Sequence, residues 1–255
     1  MPTALVTGAT AGIGRAFAQR LAADDWQLVL VARDAERLAK TAADLGNAEV
    51  IVADLSTADG RGVVQRRLAD RSDPIELLVN NAGYGLGDNY LEADAAVEEA
   101  MFEVNAHAVL ALTRTALTGM VSRGRGSVIN VSSVAAWVPR GTYAATKAFV
   151  LSLSKSAALE AAPYGVTVQA LCPGLTHTEF HQRSGSDAES RTPGLLWLSP
   201  ERVVDESLKA LEKGRTVCIP GRRWRLMMLG TRLVPARLSV AVAKRGHHAP
   251  GQPKG

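Results

Sequence analysis

Short, wholly apolar runs alternate along the chain with stretches whose apolar positions recur every three or four residues. Seven runs read as strands: Ala4–Val6, Gln27–Ala32, Val50–Ala53, Ile75–Val79, Ser127–Val131, Val166–Leu171 and Thr216–Ile219. Helical patterning fills the intervals at Ile13–Ala23, Asp34–Leu45, Ala58–Asp70, Ala93–Val121, Thr142–Ala162 and Pro200–Lys213. Strands that are apolar at every position, not at alternate ones, are those covered on both faces, which predicts a parallel sheet between helical layers. Right-handed crossovers then make the sheet doubly wound, with ligands expected at the carboxyl ends of its strands. No linker interrupts the alternation, so residues 1–221 read as one domain.

Composition adds three constraints. Low aromatic content and abundant Ala, Val, Leu and Gly suit helices packed closely on a buried sheet. Cys172 and Cys218 lie inside apolar runs without ligand spacing and read as small buried hydrophobes. The apolar N-terminus runs straight into a glycine-rich turn instead of a signal sequence, and no uncharged apolar run could cross a bilayer. A cytoplasmic location is therefore expected. Net charge is +4 but uneven: from Gly214 onward there are nine Lys/Arg and no Asp/Glu. Residues 222–255 thus form a basic arm on a mildly acidic body. No nucleic-acid reading motif accompanies the charge, so no nucleic-acid partner is expected.

The first strand ends in Thr7-Gly8-Ala9-Thr10-Ala11-Gly12-Ile13-Gly14. Glycines between a strand and a helix let the backbone turn tightly and approach a pyrophosphate at the helix N-terminus. At the end of the second strand, where an enzyme for NAD places a carboxylate, Ala32 is followed by Arg33. A guanidinium there can pair with a 2′-phosphate, Thr10 can add a hydroxyl, and NADP(H) is expected over NAD(H). Further on, Ser133, Tyr143 and Lys147 form a second constellation. Tyr143 and Lys147 stand four apart on a predicted helix and share a face. A phenol ordinarily titrates near pH 10; a nearby ammonium favours its anion, fitting it for proton transfer. Ser133 can donate to a substrate oxygen on which charge develops.

With these motifs the chain resembles a short-chain dehydrogenase/reductase of the single-domain, NADP(H)-preferring type over about Ala4 to Pro220. The resemblance implies a Rossmann-like, seven-stranded α/β fold. It also implies that Asp54 and Leu55 flank the adenine, that Asn81-Ala82-Gly83 lines the ribose side, and that Pro173, Gly174, Thr176 and Thr178 hold the nicotinamide carboxamide. Asn105 matches the asparagine of the proton relay, and Lys147 also bonds the nicotinamide ribose. Family members more often place about a dozen residues between this serine and tyrosine. The shorter loop here leaves Ser132 and Ser133 both in play. By the same resemblance the helices near Ala93–Val121 and Thr142–Ala162 pack on symmetry mates in a homodimer or homotetramer, with Ala144-Ala145 and Ala157-Ala158 permitting close approach.

A lid is expected over 175–199, where Leu175, Phe180 and Leu195–Leu198 surround a polar centre. Trp137 and Val138 are expected to face the same cleft. That lining favours a small apolar carbonyl or alcohol: a 3-oxoacyl chain, a steroid-like ketone or a xenobiotic ketone. His177 and His181 flank Glu179 at helical spacing, but no third ligand follows, and no metal is expected. The basic arm reads as a cover for the cleft or a subunit contact, in preference to a peripheral membrane helix. The expected function is NADP(H)-dependent interconversion of a ketone or aldehyde and an alcohol. The alternative is a non-catalytic nicotinamide-nucleotide-binding regulator or scaffold.

Overall fold

The structure is a computed structural model that describes residues 1–46, 48–86, 90, 93–139, 141–179 and 194–231. Expectations for Phe180, His181, the centre of the lid and the arm beyond residue 231 lie outside the described residues.

Seven parallel strands form one sheet in the order β3-β2-β1-β4-β5-β6-β7. They are β1 (Thr3–Thr7), β2 (Gln27–Ala32), β3 (Glu49–Val52), β4 (Ile75–Asn80), β5 (Gly126–Val131), β6 (Val166–Leu171) and β7 (Val217–Cys218). Helices α1 (Gly12–Ala23), α2 (Ala35–Asp44), α3 (Ala58–Ala69), α4 (Ala95–Phe102), α5 (Ala108–Arg123), α6 (Gly141–Ala161), α7 (Pro200–Leu211) and α8 (Arg222–Thr231) complete the chain. The expected doubly wound α/β architecture is what the chain adopts, and strand order reverses between β1 and β4. At such a reversal the outgoing loops of neighbouring strands diverge and leave a crevice.

The pleat sends successive side chains to opposite faces, and the central strands supply both cores, while the edge strand β3 leaves Val50 and Val52 exposed. Ala4, Val6, Leu28 and Leu30 pack with Phe17 and Leu21 of α1 and Val203 and Val204 of α7. Leu5, Val29 and Val31 pack on the other face with Val64 of α3, Leu112 of α5 and Ala157 of α6. Ala144, Ala157 and Ala158 are buried within the subunit itself, whereas Leu110, Phe149 and Leu159 are exposed. The small side chains thus bring helices close inside one subunit, a use the expected contact with a symmetry mate did not include.

Local chemistry starts the helices near the site. Asp34 accepts from the Arg37 amide to cap α2, Thr57 caps α3 through Gly60, and Ser199 caps α7 just before Pro200. The long helix expected over 93–121 is not continuous: a π turn at Glu103–His107 joins α4 to α5. Such turns put an extra residue into the helix and occur mostly at functional sites. Asn105 is at its centre.

Candidate active site

Six loops converge at the carboxyl edge of the sheet. Gly8 follows β1, Arg33 follows β2, Asp54 lies beyond β3, Asn81 follows β4, Ser132 and Ser133 follow β5, and Pro173 lies beyond β6. Two loops at the β1/β4 reversal are stitched together. The amides of Asn81 and Ala82 both donate to the Thr7 hydroxyl at 3.0 Å, and the Asn81 side chain donates to the carbonyl oxygens of Thr7 and Gly8. This leaves no room for a side chain at Gly14, where a β-carbon would lie 2.2 Å from the Gly8 carbonyl oxygen. The cradle is bare backbone at the N-terminus of α1, as a pyrophosphate requires. Ile13, the intervening residue, packs against the core under α1. The glycine turn therefore fits a dinucleotide on its own geometry.

At the outer end of the cradle, Arg33 approaches Asp54 at 3.9 Å. Burial would raise the Asp54 pKa, but two hydrogen bonds from Ser56 and the Arg33 charge outweigh it and hold the carboxyl below its usual range. Leu55 is buried beside it. Arg37, which the motif reading passed over, donates to Glu179 at 3.0 Å and to the Thr10 carbonyl oxygen at 3.4 Å.

The two serines after β5 have separate surroundings. Ser132 is buried, and its hydroxyl donates to the Lys147 carbonyl oxygen at 2.7 Å. Ser133 starts a 3-10 turn, Val134–Trp137, accepting from the Ala135 amide, and its hydroxyl lies near enough to the Tyr143 phenol to favour the phenolate. Lys147 lies beneath, its ammonium donating to the Val131 carbonyl oxygen at 2.9 Å and standing 5.7 Å from the centre of the Tyr143 ring.

Desolvation dominates both titrating groups. Burial pushes the Tyr143 phenol up to about 12, only partly offset by Ser133, and pushes the Lys147 ammonium down to about 8. Burial outweighs the acidification expected from the Tyr/Lys spacing. The phenol is neutral at pH 7 and holds a proton it can give.

Asn105 is fully buried and uses its side chain on the backbone of Tyr84, accepting from the amide at 3.1 Å and donating to the carbonyl oxygen at 2.8 Å. It thereby fixes the loop after Gly83. A β-carbon on Gly83 would lie 2.8 Å from the Asn105 side-chain oxygen and 3.4 Å from the Lys147 nitrogen, so Asn81-Ala82-Gly83 ends directly beside Lys147. Arg61 anchors the same π turn from α3. It pairs with Glu103 at 2.7 Å and donates to the carbonyl oxygens of Leu55 and Ser56. In the sequence it is one of three arginines on a polar helix, with nothing local to single it out.

Beyond β6, Thr176 is buried and donates to the Gly174 carbonyl oxygen, and Thr178 lies against Gly12. The two ends of the lid are tied: the His177 amide donates to the Leu198 carbonyl oxygen, and the His177 ring stacks on Trp197 at 4.7 Å. Trp224 of α8 covers Gly174, where a β-carbon would lie 2.1 Å from the indole, and its ring nitrogen donates to the Leu196 carbonyl oxygen at 2.8 Å. Trp137 is partly buried. It packs with Leu151, Cys172 and Ile219 on the side of β7, and Val138 is exposed.

Residues 2–189 match the sequence model of the short chain dehydrogenase family. The chain belongs to that family, and its chemistry is oxidoreduction between a carbonyl and an alcohol. Similar solved structures include a short-chain dehydrogenase from Sphingobium yanoikuyae in complex with NADPH. It is 33% identical, with 99% of each chain covered and a TM-score of 0.82. The bulky-bulky ketone specific alcohol dehydrogenase from Comamonas testosteroni is 31% identical, covering 98% of this chain and 97% of that one, with a TM-score of 0.78. Serine 3-dehydrogenase from Agrobacterium fabrum is 35% identical over 194 residues, 74% of this chain and 78% of the relative.

Proposed function

We propose that the protein is an NADP(H)-dependent reductase of an apolar ketone or aldehyde. The observation that carries this reading is the convergence of Ser133 and Tyr143 over the buried Lys147, whose ammonium stands 5.7 Å from the centre of the Tyr143 ring. A reduced nicotinamide supplies the hydride when bound. Tyr143, neutral at pH 7, gives its proton to the substrate oxygen as charge grows there. Ser133 donates a second hydrogen bond to that oxygen, and its value lies in being fixed before charge develops. Lys147 stabilises the phenolate left behind and is placed to bond the ribose hydroxyls. Asn105 acts through Gly83 and Tyr84, holding the loop that runs past the lysine.

The glycine turn of Gly8, Gly12, Ile13 and Gly14 would hold the pyrophosphate. Asp54 and Leu55 would flank the adenine, and Asn81, Ala82 and Gly83 the ribose. Pro173, Gly174, Thr176 and Thr178 would hold the carboxamide. Arg33, with Thr10 and Arg37 beside it, supports NADP(H) over NAD(H), since guanidiniums pair with a 2′-phosphate. The NADPH bound by the Sphingobium relative points the same way. Apolar substrates are supported by Leu195, Leu196 and Trp197 on the lid, and by the bulky ketones of the Comamonas relative. We read α8 as part of that substrate site, because Trp224 joins Gly174 to Leu196. The exposed Leu110, Phe149 and Leu159 support a homo-oligomer through α5 and α6. Among the described residues no helix is long and apolar enough to cross a membrane, and we place the enzyme in the cytoplasm.

A panel of ketones and aldehydes, scored by loss of NADPH absorbance, tests the reading. Turnover of an apolar ketone by the wild type and at least 10³-fold less by Tyr143→Phe is the expected result. Tight NADPH binding with no turnover across the panel would instead establish the non-catalytic alternative.

A further inference from the structure

The lid crosses the nucleotide cradle at a point that none of the reacting groups uses. Thr178 lies on the glycine turn so closely that a β-carbon on Gly12 would come 2.9 Å from its methyl group. The next residue, Glu179, receives both terminal nitrogens of Arg37, at 3.0 and 3.3 Å. One of those nitrogens also reaches the Thr10 carbonyl oxygen at 3.4 Å. Arg37 therefore joins the first turn of α2, the glycine turn and the root of the lid. It does so in the corner where Arg33 follows β2. Arg33 in turn faces Asp54 at 3.9 Å. Both guanidiniums of the corner thus already face a carboxylate.

A 2′-phosphate and a 2′-hydroxyl meet this arrangement differently. The phosphate is a multiply charged anion that needs the guanidiniums, so it must either take Arg37 from Glu179 or share it. In the first case the lid loses an ion pair. In the second, two anions sit within a few ångströms of each other across one cation. A neutral hydroxyl provokes neither effect and can itself donate to a carboxylate. Selectivity is a difference of affinities, and a carboxylate placed against one ligand alone shifts it.

We infer that Glu179 is a specificity-determining residue: it holds Arg37 against the lid and thereby weakens NADP(H) relative to NAD(H). The inference rests on the proposal that Arg33 and Arg37 seat a 2′-phosphate.

Dissociation constants for NADPH and NADH, measured by calorimetry without substrate, test this on wild type, Glu179→Gln, Arg37→Gln and the double variant. Glu179→Gln should tighten NADPH about five- to tenfold and change NADH less than about twofold. The gain should disappear in the Arg37→Gln background, as a double-mutant cycle requires of a direct coupling. It should also shrink at high salt, because both partners are partly exposed. Unchanged NADPH binding, an equal gain for both coenzymes, or weaker NADPH binding would overturn the inference; the last would mean that Glu179 only positions Arg37. Wild-type NADH binding as tight as NADPH would end the NADP(H) reading. The Glu179→Gln ratio would still report on the ion pair. Glutamine matches glutamate in shape, and a melting curve identical to the wild type's confirms that the comparison is between folded proteins.

Discussion

The Ser132 hydroxyl donates to the Lys147 carbonyl oxygen, while the hydroxyl of its neighbour Ser133 meets the Tyr143 phenol. One serine fixes the helix that carries the lysine, and the other faces the phenol oxygen. Ser133→Ala should therefore lower turnover by roughly 10²-fold or more with nucleotide binding unchanged. Ser132→Ala should cost about 0.5–1.5 kcal/mol of stability, the net worth of one buried hydrogen bond added to a carbonyl already inside α6. Steady-state kinetics and thermal unfolding of both variants separate the two; loss of turnover in Ser132→Ala at unchanged stability would reverse the assignment.

The pH dependence follows from the two buried groups. Lys147, lowered to about 8, is charged below that pH and loses its proton above it. Tyr143, raised to about 12, remains a proton donor across the whole range. Reduction needs both groups protonated, so its kcat/KM should be level below pH 8 and fall about tenfold per pH unit above it. Oxidation starts from the phenolate beside the charged lysine, a form that grows with pH up to about 8 and is then level, so its rate should rise to about pH 8 and flatten above it. A reduction profile that climbs between pH 7 and 9 would contradict this order.

Gly14→Ala places a β-carbon 2.2 Å from the Gly8 carbonyl oxygen, in backbone that the Asn81 bonds hold still. The cradle must open or deform, and affinity for either coenzyme should drop by at least about 10²-fold. Calorimetric titration checks this. Retention of wild-type affinity would show that the pyrophosphate does not use this turn.

Trp224→Ala removes the indole that covers Gly174 and the donor to the Leu196 carbonyl oxygen. The large-to-small change should cost roughly 3 kcal/mol of stability. It also releases the root of the lid, so KM for the ketone should rise more than kcat falls. Denaturant unfolding and Michaelis curves measure the two effects independently. An unaltered KM would detach α8 from the substrate site.

The parts of the site that were legible in the chain are those set by neighbours in sequence. The glycine turn after β1 needs its spacing to bring backbone to a phosphate, and Tyr143 and Lys147 share a face because a helix repeats every 3.6 residues. Ser133 could not be told from Ser132, since which of them faces the core depends on where β5 ends against β6. The π turn was hidden because its pattern is indistinguishable from a continuous amphipathic helix. Ala157 and Ala158 offered close approach without saying to what, and Trp137 went to the β7 side because the shortened loop winds into a 3-10 turn.

Strand and helix identities, the parallel sheet and the coenzyme turn come from periodicity and local backbone preference, which act over a few residues and are written directly in the order of side chains. Folding alone brings together Arg37 and Glu179, 142 positions apart. Folding also lays Trp224 over Gly174 and takes Lys147 and Tyr143 out of water, which pushes the ammonium down to about 8 and the phenol up to about 12. A charge's partner and its exposure to water are properties of packing, and packing joins residues that no local pattern connects.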